Sequence, residues 1–296
     1  MKILIAGGSG MIGKNITDLL LSQGHRVTWL SRNSFESNKF SCLTWAELPQ
    51  SNYSPDILIN LAGHNLDCRW NKINRSKILN SRVVSTRRLT ELIVSGKWNP
   101  QLYIGSSAVG IYGNDSTRKT EDSPYGVGFL ADVVCQWENS SAELAGTSCR
   151  RVLLRLPAVL SNKGGMLAKL KTPTKLLGGL VIGNGKQKTA FVHIDDVGRL
   201  IEYIIENKAI SGVFNAAAPE VPDYKEFTSV YANSLGKKVL LKSTPTWAFK
   251  LVLGERAGLV LSSQDIDSSK LLRTGFKFTY PDIRGALNQL STHENT

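Results

Sequence analysis

The sequence predicts an α/β protein: a doubly wound parallel sheet with a small C-terminal lobe. Three observations predict it. Gly7, Gly10 and Gly13 sit between an apolar run and a helical pattern at the start of the chain. Short apolar runs then alternate with helical patterns as far as Ala217. From Pro222 onward short helical patterns dominate. Strands that alternate with helices make parallel sheets, because each parallel crossover needs a connection long enough to span the sheet.

The first unit is the most informative. Lys2 to Ala6 has the length of a buried strand. Ile12, Ile16, Leu19 and Leu20 recur at helical spacing up to Gly24, and Val27 to Leu30 is a second apolar strand. Each glycine between them has a physical task. Gly7 allows a tight turn off the strand, Gly10 lets a pyrophosphate approach the backbone, and Gly13 lets the helix pack on the sheet. The turn Ser9-Gly10-Met11-Ile12-Gly13 then offers free N–H groups and a positive dipole end to phosphates. The competing reading is a merely structural glycine turn.

The second strand ends in Ser31-Arg32, where an NAD site usually has an acidic residue for the ribose 2′-OH. Arg32 can pair with a 2′-phosphate and Ser31 can donate a hydrogen bond to it, so the expected cofactor is NADP(H). The bland alternative is a solvated surface arginine. The expected division is a dinucleotide-binding domain over residues 1–160, its sheet completed by strands near 187–218, and a smaller lobe and helical module over 161–296.

The remaining elements follow in order. Phe40 to Trp45 reads as a short third strand, and Ile57 to Leu61 as a buried strand ending at Ala62-Gly63. Ligands of open parallel sheets lie beyond the carboxyl ends of the strands. Asn60, Leu61, Ala62 and Gly63 are therefore cofactor candidates. Leu79, Val83, Thr86, Leu89 and Ile93 share a face of a long helix, with Lys77 and Arg82 off that stripe; either can turn toward the phosphates or stay solvated. Gln101 to Ser107 is the next central strand, and Ser106, Ser107 and Tyr112 follow at its carboxyl end. Thr120 to Pro124 carries a loop and helix-start signal. Phe129 to Ala145 is expected to be helical. Arg151 to Leu156 is a strand whose sequel, Pro157-Ala158, can meet a nicotinamide through its backbone. Asn162 to Gly185 is rich in Gly and Lys and reads as an irregular lobe segment over the cofactor. In Ala190 to Asp196, Asp195 is expected as a helix N-cap and His193 as a packing or hydrogen-bonding residue. Gly212 to Ala217 is the last strand. Helices are expected over Tyr224 to Leu235, Thr246 to Leu261 and Ser268 to Thr274.

Composition narrows the class. The chain has 296 residues and 42% hydrophobic content, ample for a core. No apolar run approaches the roughly 20 residues of a membrane span, and the chain enters its first strand at once, with no sign of a signal peptide. Cys42, Cys68, Cys135 and Cys149 are scattered without metal spacing, which fits a reducing cytoplasm and no metal site. The net charge is +12, and no acidic residue occurs from Leu144 to Ile194. That span carries Arg150, Arg151, Arg155, Lys163, Lys169, Lys171, Lys175, Lys186 and Lys188. Such a field attracts anions. Few aromatics accompany it, so a small anionic ligand is expected rather than nucleic acid; a solvated basic face is the plain alternative.

The motifs GGSGMIG, LINLAG, GSSAVGIYG, LRLPAVLSNKGG, FVHIDD and FNAAAPE occur in an order that resembles an extended short-chain dehydrogenase/reductase. More narrowly, the chain resembles the NAD(P)-dependent epimerase-like branch with a distinct C-terminal module, here PTWAFKLVLGE to GFKFTYPDIRGAL. The resemblance implies a Rossmann-like domain with NADP(H) across the strand ends, a small substrate lobe and a possible homodimer through the two long helices. It carries Gly7, Gly10, Gly13, Ser31, Arg32, Leu61, Ala62, Arg82 and Pro157 over as cofactor residues, with Lys77 as a weaker member.

The resemblance fails at the catalytic pair. The superfamily uses a tyrosine acid/base and a lysine four residues later that lowers its pKa. Here Phe129 and Val133 stand at those positions, and neither can move a proton. Ser106, Ser107, Tyr112 and Tyr125 are the candidate substitutes. Two functions are therefore expected as alternatives. One is an epimerase-like oxidoreductase acting on a small anionic or sugar-like substrate. The other is a non-catalytic NADP(H)-binding sensor, a class in which some relatives are described as cell-division inhibitors.

Overall fold

A computed structural model describes residues 1–247, 254 and 258–292. A seven-stranded parallel sheet organises it. Its strands are β1 (Lys2–Ala6), β2 (Arg26–Ser31), β3 (Ser41–Thr44), β4 (Ile57–Asn60), β5 (Leu102–Ala108), β7 (Arg150–Leu156) and β11 (Gly212–Asn215). Their spatial order is β11-β7-β5-β4-β1-β2-β3. The order reverses between β1 and β4, which opens a crevice beyond the carboxyl ends of those two strands.

Both faces of the sheet are covered, which is why β1 is a continuous apolar run rather than an alternating one. Ile3 and Ile5 point into one core with Ile16, Leu20, Val197 and Leu200 from α1 (Met11–Ser22) and α5 (Ile194–Glu206). Leu4 and Ala6 point into the other with Leu89 and Ile93 of α2 (Lys72–Val94). The buried stripe of α2 is Ile78, Thr86, Leu89, Thr90 and Ile93. Leu79 and Val83, expected there, are only half-buried, because the helix turns its Ile78 side to the sheet. α3 (Phe129–Asn139) is shorter than expected and gives way to a 3₁₀ turn at Ala142–Gly146. Its N-cap is Gly128, so the Thr120–Pro124 signal marks only a loop.

A second core builds the lobe. It joins Leu160 of β8 (Ala158–Leu160), Leu167 of α4 (Gly165–Leu177), Ile182 of β9 (Gly179–Ile182) and Phe227 of α6 (Tyr224–Ser234), and it extends to Leu287 and Leu290 of the last helix (Ile283–Thr292). The segment read as irregular, Asn162 to Gly185, is therefore mostly helix and strand. Pro173 lies inside α4, and burial of Leu167 and Thr174 outweighs its missing N–H. Phe191–His193, β10, pairs with β8 rather than completing the main sheet, which only Gly212–Asn215 does from that region. Other small pairs form between β6 (Asp115–Lys119) and β13 (Gln264–Ile266), and between β9 and β12 (Val239–Thr244). Most of the helix expected over Thr246 to Leu261 lies outside the described residues, which show helix at Gly258–Leu261 (α7) and again at Ser269–Leu272 (α8).

The C-terminal module is fastened to α5. The fully buried Asp196 carboxylate accepts the backbone N–H groups of Thr279 at 2.8 Å and Tyr280 at 2.9 Å. His193, not Asp195, is the N-cap of α5: its Nδ1 accepts the Asp195 N–H at 3.2 Å. Its Nε2 therefore carries the proton and donates to Gln289 Oε1 at 2.9 Å, while the ring packs on Tyr280. Asp195 instead accepts from Asn15 at 3.1 Å and ties α5 to α1. Among the described residues no helix is long and apolar enough to cross a membrane.

Candidate functional site

The glycine turn sits at the reversal point, and close packing fixes most of it. Gly7 has φ +84°, and a Cβ there would lie 2.8 Å from the Leu61 carbonyl oxygen. A Cβ on Gly13 would lie 2.5 Å from the Gly8 oxygen. Gly8 is just as constrained, since its Cβ would lie 2.4 Å from the Trp29 indole. That indole is held by stacking on Phe40 and by Nε1–H donation to Thr17 Oγ1 at 2.8 Å; Thr17 donates in turn to the Gly13 oxygen at 2.7 Å. Sequence spacing gave no sign of this Trp29–Thr17 prop.

Gly10 differs. It has an ordinary extended backbone, and its only close neighbour would be the Gly7 oxygen at 3.3 Å. A Cβ here would crowd that one oxygen by a few tenths of an ångström, far less than at Gly7, Gly8 or Gly13. The space is kept for something that approaches from outside, which fits a pyrophosphate. The first helical bond of α1 runs from Lys14 N–H to the Gly10 oxygen, and no side chain caps the helix. The amides of Met11, Ile12 and Gly13 thus lack helical acceptors, and the helix dipole there favours an anion, with no acidic residue in the first turn. Ser9 is exposed beside them.

Across the crevice Leu61, Ala62 and Gly63 follow β4, with Gly63 under Arg82: a Cβ on Gly63 would lie 3.1 Å from the guanidinium carbon. Arg82 Nη1 donates to the carbonyls of His64 at 3.1 Å and Ile78 at 3.0 Å, and the group lies over the Trp137 ring. No carboxylate pairs with it among the described residues, and burial lowers its pKa to about 10. A half-buried cation without a counter-charge is a ready anion ligand. Lys77 is exposed and, five residues from Arg82, points about 140° away from it around the helix. Arg32 is exposed and unpaired among the described residues. Ser31 is buried, and its hydroxyl donates to the Asn33 carbonyl. Pro157 is buried and Ala158 half-buried where β7 gives way to β8. Apart from Lys77, these residues gather at the carboxyl ends of β2, β4 and β7 and on the facing side of α2, and their charge and exposure suit a phosphorylated dinucleotide.

Asn60 does not. It is fully buried; Nδ2 donates to Thr86 at 2.8 Å and to Tyr103 at 3.1 Å, and Oδ1 accepts the Ala62 N–H. It shapes the strand end from beneath. Burial pushes the Tyr103 phenol up to about 12, so it stays a neutral partner.

The catalytic candidates are also turned inward. Glu138 and Arg155 form a buried two-pronged pair, Nε to Oε1 at 2.8 Å and Nη2 to Oε2 at 2.9 Å. Ser107 donates to the same Glu138 Oε1 at 2.5 Å. Tyr112 accepts from Arg155 Nη1 at 2.8 Å and donates to Asn215 Oδ1 at 2.7 Å. Ser107 and Tyr112 are each 3% exposed. Burial raises the Tyr112 pKa despite the Arg155 charge. Burial alone would lower the Arg155 pKa, but the Glu138 hydrogen bonds and charge carry it above its usual value. Ser107 and Tyr112 therefore close an internal network and present no proton to a ligand. Ser106, half-buried, donates to the Asn60 oxygen at 3.2 Å, and only Tyr125, 52% exposed, presents an open phenol. Phe129 packs edge-on to Trp70 and under the Arg75 guanidinium, and Val133 is buried.

The basic field is likewise thinner than the sequence implies. Arg155 is spent on Glu138, Arg150 on the carbonyls of Ile204 and Ile210, and Lys169 on Asp67 at 2.8 Å.

Comparison with known proteins places this arrangement. The NAD dependent epimerase/dehydratase family matches residues 3–217, and a domain of unknown function, DUF1731, matches residues 244–290. The epimerase family protein YfhF of Bacillus subtilis is 34% identical, with 100% of both chains covered. Mouse epimerase family protein SDR39U1 is 33% identical, over 98% of this chain and 99% of its own. The crystal structure of human SDR39U1 (isoform 2) with NADPH has a TM-score of 0.92 at 31% identity, over 99% of each chain.

Proposed function

The chain belongs to the NAD dependent epimerase/dehydratase family, and from that premise we propose that it binds NADP(H) and acts as an oxidoreductase on a small anionic or sugar-like substrate, with a proton relay other than the usual Tyr–Lys pair. One observation carries the cofactor reading. Two anion-seeking groups lie on either side of the crevice without a carboxylate to answer them among the described residues: the uncapped start of α1 beside Gly10, and Arg82, which donates only to carbonyls. The similarity to a protein crystallised with NADPH supports it, and the exposed Arg32 selects the 2′-phosphate. When bound, the cofactor supplies the hydride chemistry. The chain's own residues bind and orient it: the α1 amides and Arg82 hold phosphates, and Pro157-Ala158 offer backbone groups to the nicotinamide.

Tyr125 and Ser106 are the remaining proton-moving groups in this reading. A second reading, an NADP(H)-dependent sensor or regulatory protein without turnover, is favoured by the locking of Ser107 and Tyr112 into the Glu138–Arg155 network. The homodimer and cytoplasmic location belong to the same proposal.

The test is a thermal-shift titration with NADPH, NADP, NADH and NAD, on the wild type and on Arg32→Ala. A ligand that binds only the folded state raises Tm with the logarithm of its excess over Kd. Stabilisation by the phosphorylated pair, lost in the variant, is expected; no shift with any of the four rejects both readings. Protein-dependent hydride exchange between C4-labelled NADPH and a panel of keto-sugars and sugar nucleotides separates the enzyme from the sensor.

A further inference from the structure

The lobe meets the crevice at two points. Met11, the first residue of α1, packs against Gly164 and Gly165 at the start of α4: a Cβ on Gly164 would lie 3.2 Å from the Met11 sulfur. Gly165 has φ +70° with the Val159 oxygen close by, so the backbone reaches Met11 through a turn only glycine takes easily. On the far side Lys169 Nζ lies 2.8 Å from Asp67 Oδ2, in the loop after β4. The segment 163–169 thus runs from the turn after β1 to the loop after β4, across the point where the strand order reverses.

Lys163 stands one residue before the Met11 contact. It is exposed, and its ammonium has no hydrogen bond or ion pair among the described residues. Its own stretch, Leu144 to Ile194, holds no acidic residue to neutralise it. We propose that Lys163 is a phosphate ligand of the cofactor: it brings its ammonium to the pyrophosphate from the lobe side, opposite the amides of Met11, Ile12 and Gly13. The inference rests on the NADP(H) reading and adds that the lobe helps to bind the cofactor. The pyrophosphate is then held between sheet and lobe, and Lys169–Asp67 closes the far end of the same clasp.

Calorimetric titration of NADPH and NADH into the wild type, Lys163→Ala, Lys163→Arg and Arg32→Ala tests it. The pyrophosphate is common to both ligands, so Lys163→Ala weakens both by the same factor, roughly five- to tenfold for one exposed charge-assisted contact. Lys163→Arg keeps most of the affinity, and Arg32→Ala weakens NADPH alone. The side chain is exposed, so the Tm of unliganded Lys163→Ala stays at the wild-type value. NADPH binding by Lys163→Ala within about twofold of wild type, near the floor of a charged contact, overturns the proposal. Weakening of NADPH without NADH overturns the pyrophosphate assignment. A wild type that binds neither dinucleotide overturns the cofactor reading itself.

Discussion

Removal of Glu138 strikes the network that occupies the interior behind the candidate site. Its carboxylate accepts Arg155 Nε at 2.8 Å, Arg155 Nη2 at 2.9 Å and the Ser107 hydroxyl at 2.5 Å. Arg155 is 2% exposed, so Glu138→Ala leaves a guanidinium charge where water does not reach. Nη1 keeps Tyr112 and the Glu121 carbonyl, but Nε and Nη2 lose their acceptors. Breaking a buried pair from one side costs about 3–5 kcal/mol. For a chain of this size each kcal/mol moves Tm by roughly 2 °C, so a fall of roughly 6–10 °C is expected. Glu138→Leu combined with Arg155→Met removes both charges and fills similar volume, and most of the loss returns. The assay is calorimetry with urea unfolding on the wild type, Glu138→Ala, Glu138→Leu, Arg155→Met and the double variant. Glu138→Ala within about 1 kcal/mol of wild type, the range of an exposed pair, would refute the reasoning. So would a double variant whose loss equals the sum of the singles.

Two further outcomes separate fold from site. Gly10→Ala meets only the Gly7 oxygen at 3.3 Å, so the free protein keeps its Tm within a few degrees while NADPH stabilisation disappears; Gly8→Ala, driven into the Trp29 indole at 2.4 Å, lowers the Tm of the free protein by several degrees as overpacking does. Thermal melts with and without NADPH check both. Burial lowers the His193 pKa below 6.5 in the folded protein, against the opposing pull of Asp195 and Asp196. The unfolded chain therefore binds a proton more readily, and His193 makes stability fall as pH drops below about 6.5 toward its folded pKa. His193→Asn, which keeps an N-cap, removes that step from urea unfolding measured between pH 7.5 and 5; an unchanged slope would show that His193 does not carry it.

What the sequence shows and what it hides follow from the range of the forces. The glycine turn was legible because strand, glycines and helix follow one another within one βαβ unit, where the positive φ of Gly7 and the approach of Gly13 to the Gly8 oxygen are local; the Leu61 contact and the pairing of β4 with β1, which reverses the strand order, lie outside that unit. Arg82 was legible only as a choice between two roles, since nothing in the spacing shows that Gly63 lies beneath it and that no carboxylate answers it. Glu138 and Arg155 were not legible as a pair. They sit on α3 and β7, and a charged residue in a β-rich run reads as a solvated face or part of a basic field unless its partner is known. The helix through Pro173 was hidden for a related reason: tertiary burial of Leu167 and Thr174 overrides the local propensity.

The same network shows how the positions expected for the usual pair are filled without disturbing the fold. Phe129 takes a place between Trp70 and Arg75, and Val133 a place in the core, so neither position leaves a cavity or an orphaned polar group. Ser107 and Tyr112, next along the strand end, are drawn down onto Glu138 and Arg155, and the carboxyl ends of β5, β7 and β11 are bound together through Tyr112, Arg155 and Asn215. Groups that would otherwise serve proton transfer thus stabilise the sheet end instead. The groups that would serve anion binding, Arg32, the α1 amides, Arg82 and Lys163, remain uncommitted to any carboxylate among the described residues. A buried polar network of this kind is hard to reopen, because each member left unpaired costs about 1–3 kcal/mol. Any chemistry performed here must therefore take its proton from outside the network, through Tyr125, Ser106 or the substrate's own groups.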